Sequence, residues 1–255
     1  MKTSQNTILI VGGSAGIGLE IAKQLSAINN HIIITGRNQA RLNSAVSQLH
    51  NVTAIQSDVT DPEQVGELVK HIQREFPNLN LVINNAGHAA LYSLADEDAN
   101  AYKNAEEEML TNYLAIIRLN QKLLPLLKKQ QESAIVNVSS VVAFAPGIYL
   151  PSYAASKAAL HSYTTSLRLT LSETSVKVFE LMPPLVDTEF SKEIGGAKGI
   201  KPAAVAEALL QALANDEYEI HVGDTAKIYA LYLESPENAL QVMNAQRLSN
   251  ISSVK

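Results

Sequence analysis

The sequence predicts an α/β fold: one domain built on a doubly wound parallel sheet of about seven strands, with helices on both faces. Three observations carry this. Apolar runs of strand length alternate with helical patterns along the chain. The runs are continuous rather than alternating, as strands covered on both faces are. Polar and glycine-rich residues recur at the carboxyl ends of those runs, where open parallel sheets bind ligands.

Ile8-Leu9-Ile10-Val11 is the first strand and runs straight into Gly12-Gly13-Ser14-Ala15-Gly16-Ile17-Gly18. A helix follows at once, with Ile17, Ile21, Leu25 and Ile28 spaced by three and four. His31 to Thr35 is the second strand, closed by Gly36-Arg37, and Asn38 to Leu49 is helical. Val52 to Val59 reads as the third strand. Thr60-Asp61-Pro62-Glu63 carries a cap residue and a first-turn proline, and opens a helix that stops at Pro77. Leu79 to Ile83 is the fourth strand, ending at Asn84-Asn85-Ala86-Gly87. A long helix is expected from Glu97 to Lys129, kinked at Pro125. Ala134 to Ser140 is the fifth strand, and Ser152 to Leu171 is helical. Val176 to Met182 is the sixth strand, closed by Pro183-Pro184. A helix from Pro202 to Leu213, a strand from Glu219 to Val222 and a last helix from Lys227 to Asn244 complete one expected domain over 1–255. No Pro/Gly/Ser linker and no repeat divides it.

Composition narrows the function. Hydrophobic residues make up 46% and charged residues 18%, which suits a soluble globular protein. The net charge of −5 and the lack of a basic block argue against nucleic acid as a partner. The chain has no cysteine, so disulfides, thiolate catalysis and a Cys-based zinc site are excluded. The six histidines lack metal-ligand spacing and read as surface or loop residues; no metal is expected. No apolar stretch reaches the ~20 residues of a membrane span, and no signal-peptide pattern precedes the first strand. The expected location is the cytoplasm.

The glycine turn points to a dinucleotide in a Rossmann-type domain. Gly12 permits a sharp turn, Gly16 lets backbone approach a phosphate, and Gly18 lets the helix sit close to the strand. The helix start presents free N–H groups and the positive dipole end to a pyrophosphate. An acidic residue at the end of the second strand would favour NAD. The chain has Thr35-Gly36-Arg37 there, with room for a 2′-phosphate and a guanidinium to pair with it, so NADP is favoured over NAD. Asp58 is placed to accept from the adenine amine.

Tyr153 and Lys157 lie four residues apart on a predicted helix and so share a face. An ammonium beside a phenol favours the phenolate, which gives a general acid near neutral pH. Ser140, at the end of the fifth strand, can donate to a substrate oxygen beside the tyrosine.

With these motifs in order, the chain resembles the short-chain dehydrogenase/reductase family, of the classical type, from Ile8 to about Val222. The motifs that carry the resemblance are the Gly12 to Gly18 turn, Asn84-Asn85-Ala86-Gly87, Asn137-Val138-Ser139-Ser140, and Tyr153 with Lys157. The layout is also similar to a bacterial subgroup encoded beside D-alanylation genes. The resemblance implies a catalytic tetrad. Tyr153 is its acid/base, Ser140 orients the carbonyl, Lys157 lowers the tyrosine pKa and binds the nicotinamide ribose, and Asn112 holds a water that links the lysine to solvent. It implies cofactor contacts from Gly12, Ser14, Ala15, Gly16, Ile17, Gly18, Arg37, Asp58, Val59, Asn85, Ala86, Gly87, Tyr153, Lys157, Pro183, Val186 and Thr188. It also implies a small-molecule carbonyl or alcohol substrate, a lid over 189–201, and a homodimer or homotetramer formed through the helices around Leu110–Leu124 and Ala155–Leu169. Those apolar faces equally suit the core. The chain departs from the family at Val11, where threonine is usual, at Pro184, where glycine is usual, and at Ala15, where some NADP enzymes carry a basic residue. Phe144, Ile148, Tyr149 and Leu150 suggest an apolar pocket mouth. His88 is a further candidate for the pocket lining. Two other functions fit the same motifs: a non-catalytic dinucleotide sensor or scaffold, and an epimerase or dehydratase.

Overall fold

A computed structural model describes the backbone of residues 1–252 and the side chains through Ala245; the last three residues of the expected 1–255 domain lie outside the described residues. The strands are β1 (Thr7–Val11), β2 (His31–Gly36), β3 (Val52–Gln56), β4 (Leu79–Asn84), β5 (Ser133–Val138), β6 (Val176–Met182) and β7 (Glu219–His221). They form one parallel sheet in the order β3-β2-β1-β4-β5-β6-β7. The order reverses between β1 and β4, so the chain departs in opposite directions there and opens a crevice at the strands' carboxyl ends.

The helices are α1 (Gly16–Ser26), α2 (Gln39–Val46), α3 (Pro62–Glu75), α4 (Ala101–Met109), α5 (Ala115–Leu127), α6 (Pro151–Thr170), α7 (Pro202–Asn215), α8 (Thr225–Glu234) and α9 (Pro236–Ser252). Alternate residues of each strand face opposite sides of the sheet. Ile8, Ile10, Ile32 and Ile34 pack with Ile21 and Leu25 of α1, Leu42 of α2 and Leu209 of α7. Leu9, Val11 and Ile33 pack on the other side with Val65 and Ile72 of α3 and with Leu119, Leu123 and Leu127 of α5. Burial on both faces is why these strands read as unbroken apolar runs.

Several boundaries differ from the sequence expectation. The long helix begins at Ala101 rather than Glu97; it is interrupted by a π-turn over Leu110–Leu114, and Pro125 lies within α5. β3 stops at Gln56, and Asp58 draws the chain into a turn by accepting from the Thr60 N–H at 2.9 Å. β5 stops at Val138, leaving Ser139 and Ser140 at the rim, and α2 stops at Val46. The last helix is two, because Pro236 cannot continue α8 and instead opens α9. Residues 189–201 are ordered into two 3-10 turns, Glu189–Ile194 and Gly196–Lys198. The segment is pinned at both ends by Asp187 N–H to the Ile200 carbonyl (2.8 Å) and Ile200 N–H to the Leu185 carbonyl (3.0 Å). Among the described residues no helix is long and apolar enough to cross a membrane.

Candidate active site

The crevice is built first by the glycine turn. Gly12 (φ +78°) and Gly16 (φ +55°) occupy the left-handed region. The N–H groups of Gly12 and Gly13 both donate to the Thr35 carbonyl, at 3.0 and 3.1 Å, which ties the turn to the end of β2. A Cβ on Gly12 would lie 2.9 Å from Ala86 Cα; one on Gly18 would strike the Gly12 carbonyl and Asn85 Nδ2. Asn85 Nδ2 donates to that same carbonyl at 2.9 Å. Thus three segments, Gly12–Gly18, Thr35 and Asn85–Ala86, close on one another only because side chains are missing where they meet. The cradle opens on the N-terminus of α1, whose Ala15 cap leaves the first N–H groups without a side-chain acceptor. A Cβ on Gly16 would come within 3.3 Å of the Thr188 methyl, so the segment after β6 forms the facing wall. This cradle fits a nucleotide pyrophosphate.

At the end of β2, Gly36 lies against Ser14, with its Cβ position 3.1 Å from Ser14 Oγ, and Arg37 is exposed. Asp58 has one oxygen in its turn with Thr60, and Val59 packs against the β1 face of the core. A buried Ser57 Oγ beside them has no partner. Arg41 of α2 reaches Glu189 at 2.9 Å, so the wall carrying Arg37 and the segment after Thr188 are joined by an ion pair.

The polar residues of the catalytic expectation gather at the ends of β4 and β5. Ser140 caps a 3-10 turn over Val141–Ala143. Tyr153 and Lys157 stand on α6, with the ammonium 5.6 Å from the tyrosine ring centroid. Lys157 is buried and donates to the Val138 carbonyl at 2.8 Å. Desolvation depresses its pKa to about 8, against the opposing pull of Glu180. The phenol of Tyr153 is pushed up by burial and further by Glu108, and is pulled down by the Ser140 hydroxyl. Burial sets the direction of this shift, while the ammonium expected to lower the phenol stands 5.6 Å from its ring and is held on the Val138 carbonyl.

Asn112 by itself reads as a polar helix residue, and only the family resemblance singles it out. It lies fully buried in the π-turn, where its Oδ1 accepts from the His88 N–H at 2.8 Å and its Nδ2 donates to the His88 carbonyl (2.8 Å) and Ser156 Oγ (2.9 Å). The extra residue of the π-turn turns this amide towards the loop after Gly87. A Cβ on Gly87 would meet Asn112 Oδ1 at 3.5 Å, an ordinary contact, so the amide does not depend on a glycine there. Val186 is buried, and its carbonyl accepts from Ser191 Oγ, while the Thr188 hydroxyl pairs with Ser191 at 3.1 Å. The Pro183 carbonyl accepts from the Val141 N–H at 3.1 Å and so fixes the Ser140 turn.

Phe144 and Leu150 are buried rather than lining a mouth; Phe144 packs 5.0 Å from the His161 ring and 4.6 Å from Tyr229. The exposed Phe190, 6.1 Å from the Tyr153 ring, stands nearer the site. His88 comes within 3.5 Å of Glu107. Half-buried His161 pairs with Glu180, and His221 stacks on Tyr229 at 4.4 Å, so neither is a free surface residue. Glu180 and Glu108 were missed by sequence reasoning. The signal for Glu180 was a charge inside the apolar run Val176–Met182. For Glu108, buried under the loop and bonded to Ser152 and the Ala90 N–H, the acidic run around it concealed the signal.

The model of the short chain dehydrogenase family matches residues 6–199. The chain belongs to this family. Among its curated relatives, the uncharacterized oxidoreductase DltE of Bacillus subtilis is 43% identical over 200 residues, covering 78% of this chain and 79% of DltE. The uncharacterized oxidoreductase SERP2049 of Staphylococcus epidermidis is 31% identical over 215 residues, covering 83% of this chain and 92% of that one. Among solved short-chain dehydrogenases, one from Burkholderia cenocepacia in complex with NADP superposes with a TM-score of 0.83 at 26% identity, over 95% of this chain and 98% of that one. A Burkholderia phymatum structure in complex with NAD superposes with a TM-score of 0.85 at 20% identity, over 96% and 97%, and shows the shared fold. This short-chain dehydrogenase is accordingly an oxidoreductase of the nicotinamide-dinucleotide kind.

Proposed function

We propose that the protein is an NADP-dependent oxidoreductase that interconverts a small-molecule carbonyl and its alcohol, with Tyr153, Ser140, Lys157 and Asn112 as its catalytic set. The observation that carries this is that Ser140 reaches the Tyr153 phenol, Lys157 of the same helix is held on the Val138 carbonyl, and Asn112 reaches Ser156 between them. A bound nicotinamide supplies or accepts the hydride at the substrate carbon. Ser140 donates to the carbonyl oxygen and holds it. Tyr153 gives its phenolic proton to that oxygen in reduction and takes it back in oxidation. Lys157 stabilises the resulting phenolate by its charge, and Asn112 fixes the loop after Gly87 and, through Ser156, the helix that carries both residues.

Exposed Arg37, with no acidic residue at the end of β2, supports NADP over NAD. Gly12, Ser14, Ala15, Gly16, Ile17 and Gly18 would hold the pyrophosphate. Asp58 and Val59 would flank the adenine, and Asn85, Ala86, Gly87, Pro183, Val186 and Thr188 would flank the nicotinamide half. Residues 189–201 form the substrate lid, with Phe190 facing the tyrosine. The exposed faces of the π-turn with α5, and of α6, including Leu114 and Leu169 respectively, are the surfaces through which a homodimer would form.

The test is NADPH and NADH turnover over a panel of aldehydes and ketones, by wild type and Tyr153→Phe. Turnover by wild type and its loss by about 10²–10⁴-fold in the variant support the reading. NADPH binding without turnover by either protein refutes it in favour of a sensor or an internal redox cycle.

A further inference from the structure

Glu180 is a fully buried carboxylate in β6, the sixth strand of the sheet. A lone carboxylate there would cost several kcal/mol or take up a proton. Its partners offset that cost. One oxygen accepts from Ser139 Oγ and the other pairs with His161 Nδ1 at 2.9 Å.

Each partner is the neighbour of a proposed catalytic residue. Ser139 precedes Ser140. His161 stands one helical turn beyond Lys157 on α6. Glu180 also lies opposite Asn137 in the β5–β6 ladder, one residue from Val138, whose carbonyl holds the Lys157 ammonium. Adjacent strands are about 4.8 Å apart, so the carboxylate and the ammonium share one buried neighbourhood. The charges around this pair come from several elements. His161 and Arg168 belong to α6, and Glu219 and His221 to β7, while Phe144 closes the side facing α8 without a charge.

We propose that Glu180, with His161 as its counter-charge, is a positioning residue that keeps Lys157 cationic and fixes the turn bearing Ser140. The proposal rests on the catalytic reading above. The carboxylate favours the ammonium across the β5–β6 ladder. When protonated, the imidazole limits how strongly it does so, because it neutralises the same carboxylate. The two side chains therefore push the charge of Lys157 in opposite directions.

The experiment compares wild type, Glu180→Gln, Glu180→Asp and His161→Asn. kcat/KM for carbonyl reduction with NADPH is measured against pH, and the His161 ring is followed by ¹⁵N NMR titration without cofactor. In Glu180→Gln the alkaline limb is expected about one pH unit lower, a tenfold change in the proton concentration it reads. In Glu180→Asp the limb returns towards wild type. In His161→Asn the limb is higher than in wild type. The His161 titration midpoint falls in Glu180→Gln, which the NMR reads without any turnover. Coincident limbs in Glu180→Gln and wild type, or equal profiles for the Gln and Asp variants, overturn the proposal. Should Glu180→Gln fail to fold, His161→Asn decides: a raised limb supports the proposal and an unchanged or lowered one overturns it. Failure of the catalytic reading is recognised separately, by turnover that survives in Tyr153→Phe.

Discussion

Gly18→Ala tests whether the close contact of α1 with the glycine turn is as tight as the geometry states. A methyl at Gly18 would meet the Gly12 carbonyl and stand 2.5 Å from Asn85 Nδ2, well inside normal van der Waals separation. Neither neighbour yields easily: Gly12 is held by Thr35, and Asn85 Nδ2 is bonded to the Gly12 carbonyl. Overpacking of this kind costs about 1–3 kcal/mol. Loss of the Asn85 bond adds about 1 kcal/mol. Alanine's better helix propensity offsets about 1 kcal/mol. The net is a loss of about 2 kcal/mol, or roughly 4–8 °C in Tm for a chain of this size. Gly66, inside α3, is the internal control, because a Cβ there meets nothing. Gly66→Ala should gain about 0.5–1 kcal/mol. Both are measured by urea denaturation, with NADPH affinity followed by fluorescence. A Gly18→Ala protein as stable as Gly66→Ala, binding NADPH like wild type, would refute the reasoning.

Other outcomes follow from the same geometry. Arg37→Asp should weaken NADPH binding by about tenfold or more relative to NADH, since on the proposed 2′-phosphate role it exchanges a bidentate partner for a repelling charge; equal loss for both dinucleotides in a fluorescence titration would count against that role. Asn112→Leu leaves the half-buried His88 N–H without its acceptor and should cost about 1–3 kcal/mol in denaturation while lowering kcat. The pairing with Glu180 raises the pKa of His161, so its stabilising contribution is complete below about pH 6.5 and is lost as pH rises through the folded value. Wild-type Tm should therefore fall across that window more steeply than the Tm of His161→Asn. Arg41→Ala breaks an exposed pair and should change stability by less than about 1 kcal/mol.

The sheet and its helices were legible because burial on both faces leaves unbroken apolar runs, and because cap and proline signals such as Asp61-Pro62 act locally. The glycine turn was legible for the same reason: its demands fall on a few consecutive residues. What escaped was decided by contacts distant in sequence. The π-turn at Leu110–Leu114 has no local breaker. It is accompanied by the contacts of Asn112 with His88, 24 positions earlier, and Ser156, 44 later. Phe144 read as a pocket residue until α8 supplied Tyr229 to cover it. The burial of the Tyr153 phenol, which pushes it up, comes from the whole fold and could not be read from the four-residue spacing of Tyr153 and Lys157 on their helix.

The strand order has a consequence for how the chain reaches its native state. β1 pairs on one side with β2, which follows it closely, and on the other with β4, through contacts such as Val11 with Asn84. No neighbouring pair is a hairpin, and each pairing must wait for a crossover to be made. During synthesis the inner edge of β1, rich in isoleucine and leucine, has no partner until some seventy further residues have emerged. Parallel pairing at this separation is slow, because loop closure must precede its contacts. An unpaired apolar edge in that interval is a site for association with other chains. Overproduction at high temperature should thus favour inclusion bodies, and slower synthesis should favour the folded form, whatever the final stability of the native sheet.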